Sequence, residues 1–289
     1  RGHRRRRRAR PGARIVVAMA DDDELTYLTY LKVPQLLSLQ QLRSQPPHPE
    51  ELHFIIVHQA LELWFKLLLH DLERIIAALD DDDRPGALVL LRRVNDVMVT
   101  GLDQMRSLHD MPPWSLHRFR SYLGTASGLQ SVQFRELELL SGLRDETYLK
   151  ALRIHAGGEL PPPLQARLRQ RSLAEAHADA AARLGIGTGA NRAERLSSWA
   201  DFYADPGPHG DFYVLCEALV DYDERWVRWR HEHVTLVERT LGPRTRGTAG
   251  TALAYLRHTT AYRYFPVLWD LRHDLAVRGG GALVDGGRP

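Results

Sequence analysis

The sequence predicts an all-α protein, organised as one large helical-bundle domain. Leucine, alanine, arginine and glutamate dominate the 289 residues, and the alternating apolar pattern of β-strands is rare. Clusters of glycine and proline divide the chain into stretches of helical length. With 44% apolar residues, the chain is long enough to bury a sizeable core.

Helical patterns recur along the body of the chain. Helices are expected near residues 24–43, 49–80, 86–108, 114–141, 145–154, 162–184, 192–204, 211–241 and 250–275. Glycine- and proline-rich connections separate them, as at Pro112-Pro113 and around residues 242–250. Residues 145–200 are rich in alanine and arginine, and we expect them to form a small helical insert in the domain.

The two ends of the chain differ from its body. Residues 1–18 contain eight arginines and no acidic residue. Met19 begins the run Met-Ala-Asp-Asp-Asp-Glu and has the character of a natural start, so we expect residues 1–18 to be a disordered leader. The tail, residues 279–289, is glycine-rich and is expected to be flexible. The predicted domain therefore covers residues 19–278.

The charge distribution disfavours a nucleic-acid partner. The net charge is +3, but without the eight leader arginines the remaining chain carries −5. A basic arm that binds nucleic acid or anionic lipid is an alternative function for the leader. The acidic body opposes it, and deletion of residues 1–18 would test it.

The sequence favours a soluble, cytoplasmic protein. No uninterrupted apolar run reaches the roughly 20 residues that cross a bilayer, since polar side chains such as His58 and Lys66 interrupt residues 55–69. The apolar stretch Ile15–Ala20 is shorter than the core of about 7–15 residues in a secretory signal. The single cysteine, Cys216, permits neither an internal disulfide nor a thiolate zinc cluster.

Two histidines lie on the apolar faces of two long predicted helices. In the helix at 49–80, Phe54, His58, Leu61 and Phe65 follow helical spacing and share one face. In the helix at 211–241 the apolar face is longer. It consists of Leu215, Leu219, Tyr222, Trp226, Trp229, His233 and Val237.

A histidine on an apolar face has two interpretations. Taken alone, it is usually a core residue that bonds a backbone carbonyl. Two of them on separate helices of an all-helical chain also suit a flat metal cofactor, because one imidazole can bind the metal while the other faces the open coordination position.

Other metal and nucleotide sites have weaker support. The chain has no His-Glu-x-x-His zinc motif, no Walker motif, no dinucleotide fingerprint and no Gly-x-Ser-x-Gly elbow. Glu62 follows His58 by four residues, but no set of carboxylates for a di-iron site accompanies it.

Four segments of the sequence resemble the tryptophan 2,3-dioxygenase family. They are residues 25–37, 53–70, 120–136 and 215–242, and they occur in the family's order. The third contains Ser127-Gly-Leu-Gln-Ser131, and the fourth the pattern His-x-x-x-Val-x-Arg-x-x-Gly beginning at His233. The resemblance covers most of residues 25–275 and is weakest over 145–200.

The resemblance implies a haem-dependent dioxygenase. Ferrous haem b would lie between the long helices with His233 as its axial iron ligand, and dioxygen would bind on the opposite side. His58, on that distal side, would accept a hydrogen bond from the indole nitrogen of L-tryptophan. Insertion of both oxygen atoms would open the indole ring and give N-formylkynurenine, the first step of tryptophan catabolism by the kynurenine pathway.

Further site residues follow from the resemblance alone. Arg120 would bind the substrate carboxylate through its guanidinium group. Phe54 would line the indole pocket, although core packing explains it equally well. Ser127 would lie close to the haem, with a helix cap as the alternative. Thr248 would contact the substrate's ammonium and carboxylate groups.

The amino-terminal helix carries an expectation about assembly. Tyr27, Tyr30 and Leu31 share one helical face. In the family, this helix reaches over the active site of a neighbouring subunit in a homotetramer. The resemblance implies the same here, whereas an ordinary alternative is packing within the same subunit.

Two departures from the family pattern leave the substrate and reaction open. Leu116 stands where the family has an aromatic residue, which widens the predicted substrate pocket. In the loop at 246–251, Ala249 replaces a glycine and Thr248 falls one place later. These changes motivate a haem monooxygenase acting on tryptophan or a substituted tryptophan. A haem sensor without turnover is a further alternative, opposed by Arg120.

Overall fold

The computed structural model describes residues 25–242 and 253–278 and divides the chain into two units, residues 1–41 and 42–289. Every regular element in the described part of the chain is helical, which confirms the predicted all-α class. The prediction for the leader and the tail lies outside the described residues, as does Thr248.

The α-helices occur in the following order. They are α1 Tyr27–Tyr30, α2 Val33–Leu36, α3 Pro49–Asp80, α4 Arg84–Arg106, α5 Pro113–Phe119, α6 Val132–Ser141, α7 Glu146–His155, α8 Pro162–Arg169, α9 Leu173–Arg183, α10 Arg192–Ala204, α11 Gly210–Leu241, α12 Leu253–Thr259 and α13 Pro266–Arg278. Short 3₁₀ helices cover Ser107–Asp110, Arg120–Leu123, Gly128–Gln130 and Gly207–His209.

In the first unit, the single helix predicted for residues 24–43 is wrong. Thr26 caps α1 through a reciprocal pair of bonds with Thr29, and Lys32 then adopts a left-handed conformation with φ 51°. Pro34 has no backbone N–H, and its ring would clash with the carbonyl of Tyr30 in a continuous helix. Two short helices therefore replace one.

In the second unit, α3, α4 and α11 form the central layer of the bundle. Helix α4 packs along both α3 and α11. The core contains Leu72 and Ile75 of α3, Leu91 of α4, and Leu215 and Leu219 of α11, all with 0% exposure. The predicted bounds of the two long helices, 49–80 and 211–241, are confirmed to within one residue.

Other predicted helices are interrupted. The continuous helix at 114–141 is wrong, because Gly124 has φ 58° and Ser131 caps a new helix by accepting from the Phe134 N–H. The helix at 162–184 breaks where Ser172 caps α9, and the helix at 250–275 breaks before Pro266. Caps and proline satisfy or remove the backbone donors that would otherwise continue each helix.

The segment 145–200 packs into the main core. Tyr148 of α7, Leu173 of α9 and Trp199 of α10 belong to the same continuous hydrophobic cluster as the residues of α3, α4 and α11. These helices therefore extend the bundle and share its core.

Helix α3 is long and apolar enough, by length and composition, to cross a membrane. No other helix in the described ranges meets both criteria. Its buried face packs against α4, α6 and α9.

Candidate functional site

Helices α3 and α11 both pack on α4, and beside it their side chains contact each other directly. The rings of Phe65 on α3 and Trp229 on α11 lie 5.7 Å apart in an edge-to-face arrangement. At the same level, a Cβ atom on Gly101 of α4 would lie 3.1 Å from Trp229 and 3.6 Å from Leu61. The glycine therefore lets the three helices approach closely here.

The two helices also share a second contact region, which lies nearer the start of α3 and nearer the end of α11. Phe54 of α3 and Val237 of α11 both pack against a second hydrophobic cluster. Its buried members are Met111, Leu116, Phe119 and Leu241. Since Phe65 is opposite Trp229 and Phe54 lies near Val237, α3 and α11 run antiparallel. His58 and His233 fall between these two contacts, at the same end of the bundle.

Within the described residues, one nitrogen of the His58 imidazole forms a hydrogen bond. Its Nδ1 lies 2.7 Å from the carbonyl oxygen of Phe54, and since that oxygen only accepts, Nδ1 carries the proton and donates. Burial lowers the pKa of His58, against smaller opposing effects of this bond and the charge of Glu62. Nε2 of the neutral ring is therefore a hydrogen-bond acceptor.

The imidazole of His233 is neutral. Burial, with smaller contributions from His58 and Arg135, lowers its pKa to about 4. No hydrogen bond joins it to another residue in the described part of the chain.

These residues fit a haem. A neutral imidazole is an effective ligand for haem iron. Apolar side chains such as Leu61 and Trp229 flank the two histidines and suit a flat, largely apolar macrocycle. The described residues contain no group of three or more His, Cys, Asp or Glu that could hold a bare metal ion.

The predicted substrate residues lie around the second cluster. Phe54 stacks on His58 with ring centroids 4.2 Å apart and meets Phe119 edge-on at 5.7 Å. Leu116 is buried in this cluster with 7% exposure. Arg120 begins the 3₁₀ helix that follows α5 and is half-buried. The structure thus brings Phe54, Leu116 and His58 together, with Arg120 one turn beyond Leu116.

The structure also describes Ser127 and the three predicted site residues of the first unit. Ser127 caps the 3₁₀ helix Gly128–Gln130, accepting from the Leu129 N–H at 3.3 Å, so the cap expected as the alternative is present. In the first unit, Tyr27, Tyr30 and Leu31 are 74%, 71% and 45% exposed.

Sequence reasoning missed a buried cluster of charged side chains. Arg135 and Glu138 of α6 and Arg230 of α11 are 8%, 1% and 4% exposed. Arg135 lies within the segment 120–136 that resembles the family. The available signal was Arg230, which lies three residues before His233 on the same helix.

Two surface cavities lie away from the histidines. One, of about 460 Å³, lies between the loop 44–50 and α5, and the other, of about 640 Å³, lies beside α10. Neither is lined by His58 or His233.

Comparison with known proteins relates this chain to one family. The model of the family described as tryptophan 2,3-dioxygenase matches residues 14–156 and 165–275. A tryptophan 2,3-dioxygenase of a Nocardioides species is 38% identical over 87% of this chain and 95% of its own length. Proteins of the same name from Caulobacter vibrioides and Myxococcus xanthus are 37% and 35% identical, covering 89% and 86% of this chain and 100% and 89% of their own lengths.

Proposed function

The chain belongs to the tryptophan 2,3-dioxygenase family, and from that membership we propose that it opens the indole ring of L-tryptophan at a haem held by His233. The C2–C3 bond of the indole breaks and both atoms of dioxygen enter the product, N-formylkynurenine, so no external reductant is consumed. The observation that carries the proposal is the pair of neutral imidazoles, His58 and His233, at the same end of two antiparallel helices.

The haem, when bound, supplies the dioxygen chemistry. His233 would hold its iron from α11 through a neutral imidazole. The residues of the second cluster would exclude water from the substrate pocket. Ser127 caps its short helix and would also contact the haem. Thr248 remains a proposed contact for the substrate's ammonium and carboxylate.

The substrate is held at both ends. Arg120 pairs with the carboxylate, and Nε2 of His58 accepts a hydrogen bond from the indole N–H. Phe54 and Leu116 contact the ring faces and edges. Because Nδ1 of His58 is tied to the Phe54 carbonyl, the ring cannot rotate freely, and Nε2 is held in place to orient the indole.

Replacing His58 by alanine is expected to leave haem binding intact and to lower kcat/KM by about 10- to 100-fold, the range for loss of one buried hydrogen bond. His53→Ala is a matched control on the same helix, because His53 bonds Ser107 at 2.9 Å instead. Steady-state kinetics with tryptophan measure both. An unchanged kcat/KM in His58→Ala would contradict the proposed role.

The reaction itself is tested by the mass of the product. Purified protein is loaded with haem, reduced, and given tryptophan in air. A product heavier by two oxygen atoms supports the dioxygenase. A gain of one oxygen would replace it with a monooxygenase, and haem binding without any turnover would replace it with a sensor.

We further propose a homotetramer in the cytoplasm. Only 28% of the most apolar 18-residue stretch of α3 is buried within the chain. Leu52, Ile56 and Leu63 on α3 are 43%, 45% and 56% exposed, and a surface of this kind favours contact with another copy of the chain. Tyr27 and Tyr30 would cover a neighbouring active site. The free thiol of Cys216 fits a reducing compartment.

Replacing Leu63 by glutamate is expected to reduce the assembly to smaller species, because a charge would be buried in the interface. Light scattering coupled to size-exclusion chromatography measures the mass. Val89→Glu, at a position 66% exposed on α4, is the control and should leave the mass unchanged. A wild-type monomer would refute the tetramer.

A further inference from the structure

A buried cluster of charged side chains joins α6 to α11. The carboxylate of Glu138 accepts from Arg135 at 2.7 Å and from Arg230 at 3.2 Å. The hydroxyl of Tyr148 donates to the same carboxylate at 2.8 Å, and Arg230 donates to the hydroxyl of Tyr264 at 2.9 Å. We call Arg135, Glu138 and Arg230 the buried charge cluster.

The buried charge cluster carries a net charge of +1. Two guanidinium groups face one carboxylate, and an arginine side chain does not lose its proton in a protein. The Nε atoms of Arg135 and Arg230 are buried, and among the described residues neither has a hydrogen-bond partner. The positive charge is therefore fixed, desolvated and only partly neutralised.

The buried charge cluster lies close to His233. Arg230 precedes His233 by three residues on α11, so the two side chains are neighbours on the helix surface. Arg135 stacks on Phe134 at 4.5 Å, and the Phe134 ring lies 6.4 Å from Trp229, one turn before His233.

We propose that the buried charge cluster sets the reduction potential of the iron held by His233, with Arg135 favouring the ferrous state and Glu138 limiting that effect. This inference rests on haem binding at His233, as proposed above. One-electron reduction of ferric to ferrous haem removes one positive charge at the iron. A fixed positive charge nearby, in a medium of low dielectric constant, favours the state with less positive charge.

A purely structural role makes a different prediction. The buried charge cluster also ties α6, α7 and α11 together, so weakening it from either end would loosen the same contacts. Structural damage from Arg135→Gln and Glu138→Gln would then change the haem environment in the same direction. An electrostatic role requires opposite directions, since one substitution removes a positive charge and the other a negative charge.

The test is the midpoint potential of the haem-loaded protein, followed by absorption during a reductive titration. Arg135→Gln is expected to shift the ferric–ferrous equilibrium about tenfold towards ferric, or about 59 mV lower for one electron. Glu138→Gln is expected to raise the potential by a similar amount. Arg135→Lys keeps the charge and is expected to stay close to the wild type.

Asp71→Asn provides a matched control. Asp71 is also a fully buried carboxylate paired with an arginine, Arg93, but it lies thirteen residues along α3 from His58, about 20 Å away. Its substitution should leave the potential unchanged. If Glu138→Gln does not fold, the comparison of Arg135→Gln with Arg135→Lys is sufficient to determine the direction of the shift in midpoint potential.

The experiment distinguishes failure of the proposed function from failure of the role proposed for the buried charge cluster. Wild-type protein that takes up no haem would refute the proposed function itself. Haem-loaded Arg135→Gln and Glu138→Gln with unchanged potentials, or with shifts in the same direction, would overturn the role of the buried charge cluster and leave haem binding intact.

Discussion

Replacing His233 by alanine is expected to yield a folded protein that has lost its haem, with content falling from about one haem per chain to less than about 0.1. The loss is large because His233 is the only protein ligand that we propose for the iron. The surrounding apolar contacts act on the macrocycle alone and do not bind the metal. Catalysis is lost with the haem. The ratio of haem absorption to protein concentration after purification measures the effect directly.

The control for this substitution is on the same helix. His231 is exposed and lies two residues earlier, so its side chain points away from His233. His231→Ala should retain haem. In His233→Gly, added imidazole should restore haem binding, because the free ligand can occupy the space left by the side chain. Full haem content in His233→Ala would contradict the assignment of the ligand.

The sequence predicted the two long helices but not the relative position of the histidines that they carry. Helical spacing alone placed His58 and His233 on apolar faces of long helices, and both helices are observed. Their register depends on α4, which lies between them, and on Gly101, where a side chain would hold α11 away from α3. No local pattern in either histidine helix encodes that contact.

The interruptions between helices were harder to predict for a related reason. Residues 114–141 have helical composition, yet Ser127 and Ser131 offer side-chain acceptors to backbone N–H groups and start new helices. Capping competes with helix continuation by a small free energy, commonly about 1 kcal/mol. Tertiary contacts of α5 and α6 decide such a balance, and they are not visible in sequence.

The buried charge cluster was not predictable from composition. Arginine and glutamate are mostly exposed, so a pattern of Arg135 and Glu138 at i and i+3 usually indicates a surface ion pair. Its burial follows from Arg230, which is 92 residues from Glu138 along the chain. Only the packing of α6 on α11 brings that third charge to the first two.

Replacing Arg120 by alanine is expected to raise the KM for tryptophan by about 100-fold or more. Removing one partner of a buried guanidinium–carboxylate pair commonly costs about 2–5 kcal/mol, because the other charge is left without a partner. Arg120→Lys should recover part of this loss, since a lysine keeps the charge but not the two parallel hydrogen bonds. Arg118 is exposed two residues earlier, and Arg118→Ala serves as the control.

A substrate analogue separates the proposed clamp from general damage to the pocket. Tryptamine lacks the carboxylate, so wild-type protein should use it as poorly as Arg120→Ala uses tryptophan. If Arg120 binds the carboxylate, the variant should no longer distinguish tryptamine from tryptophan, and the two losses should not add. Additive losses would place Arg120 outside the carboxylate site, and the substrate would then have to be oriented by His58 and by residues in the loop at 246–251.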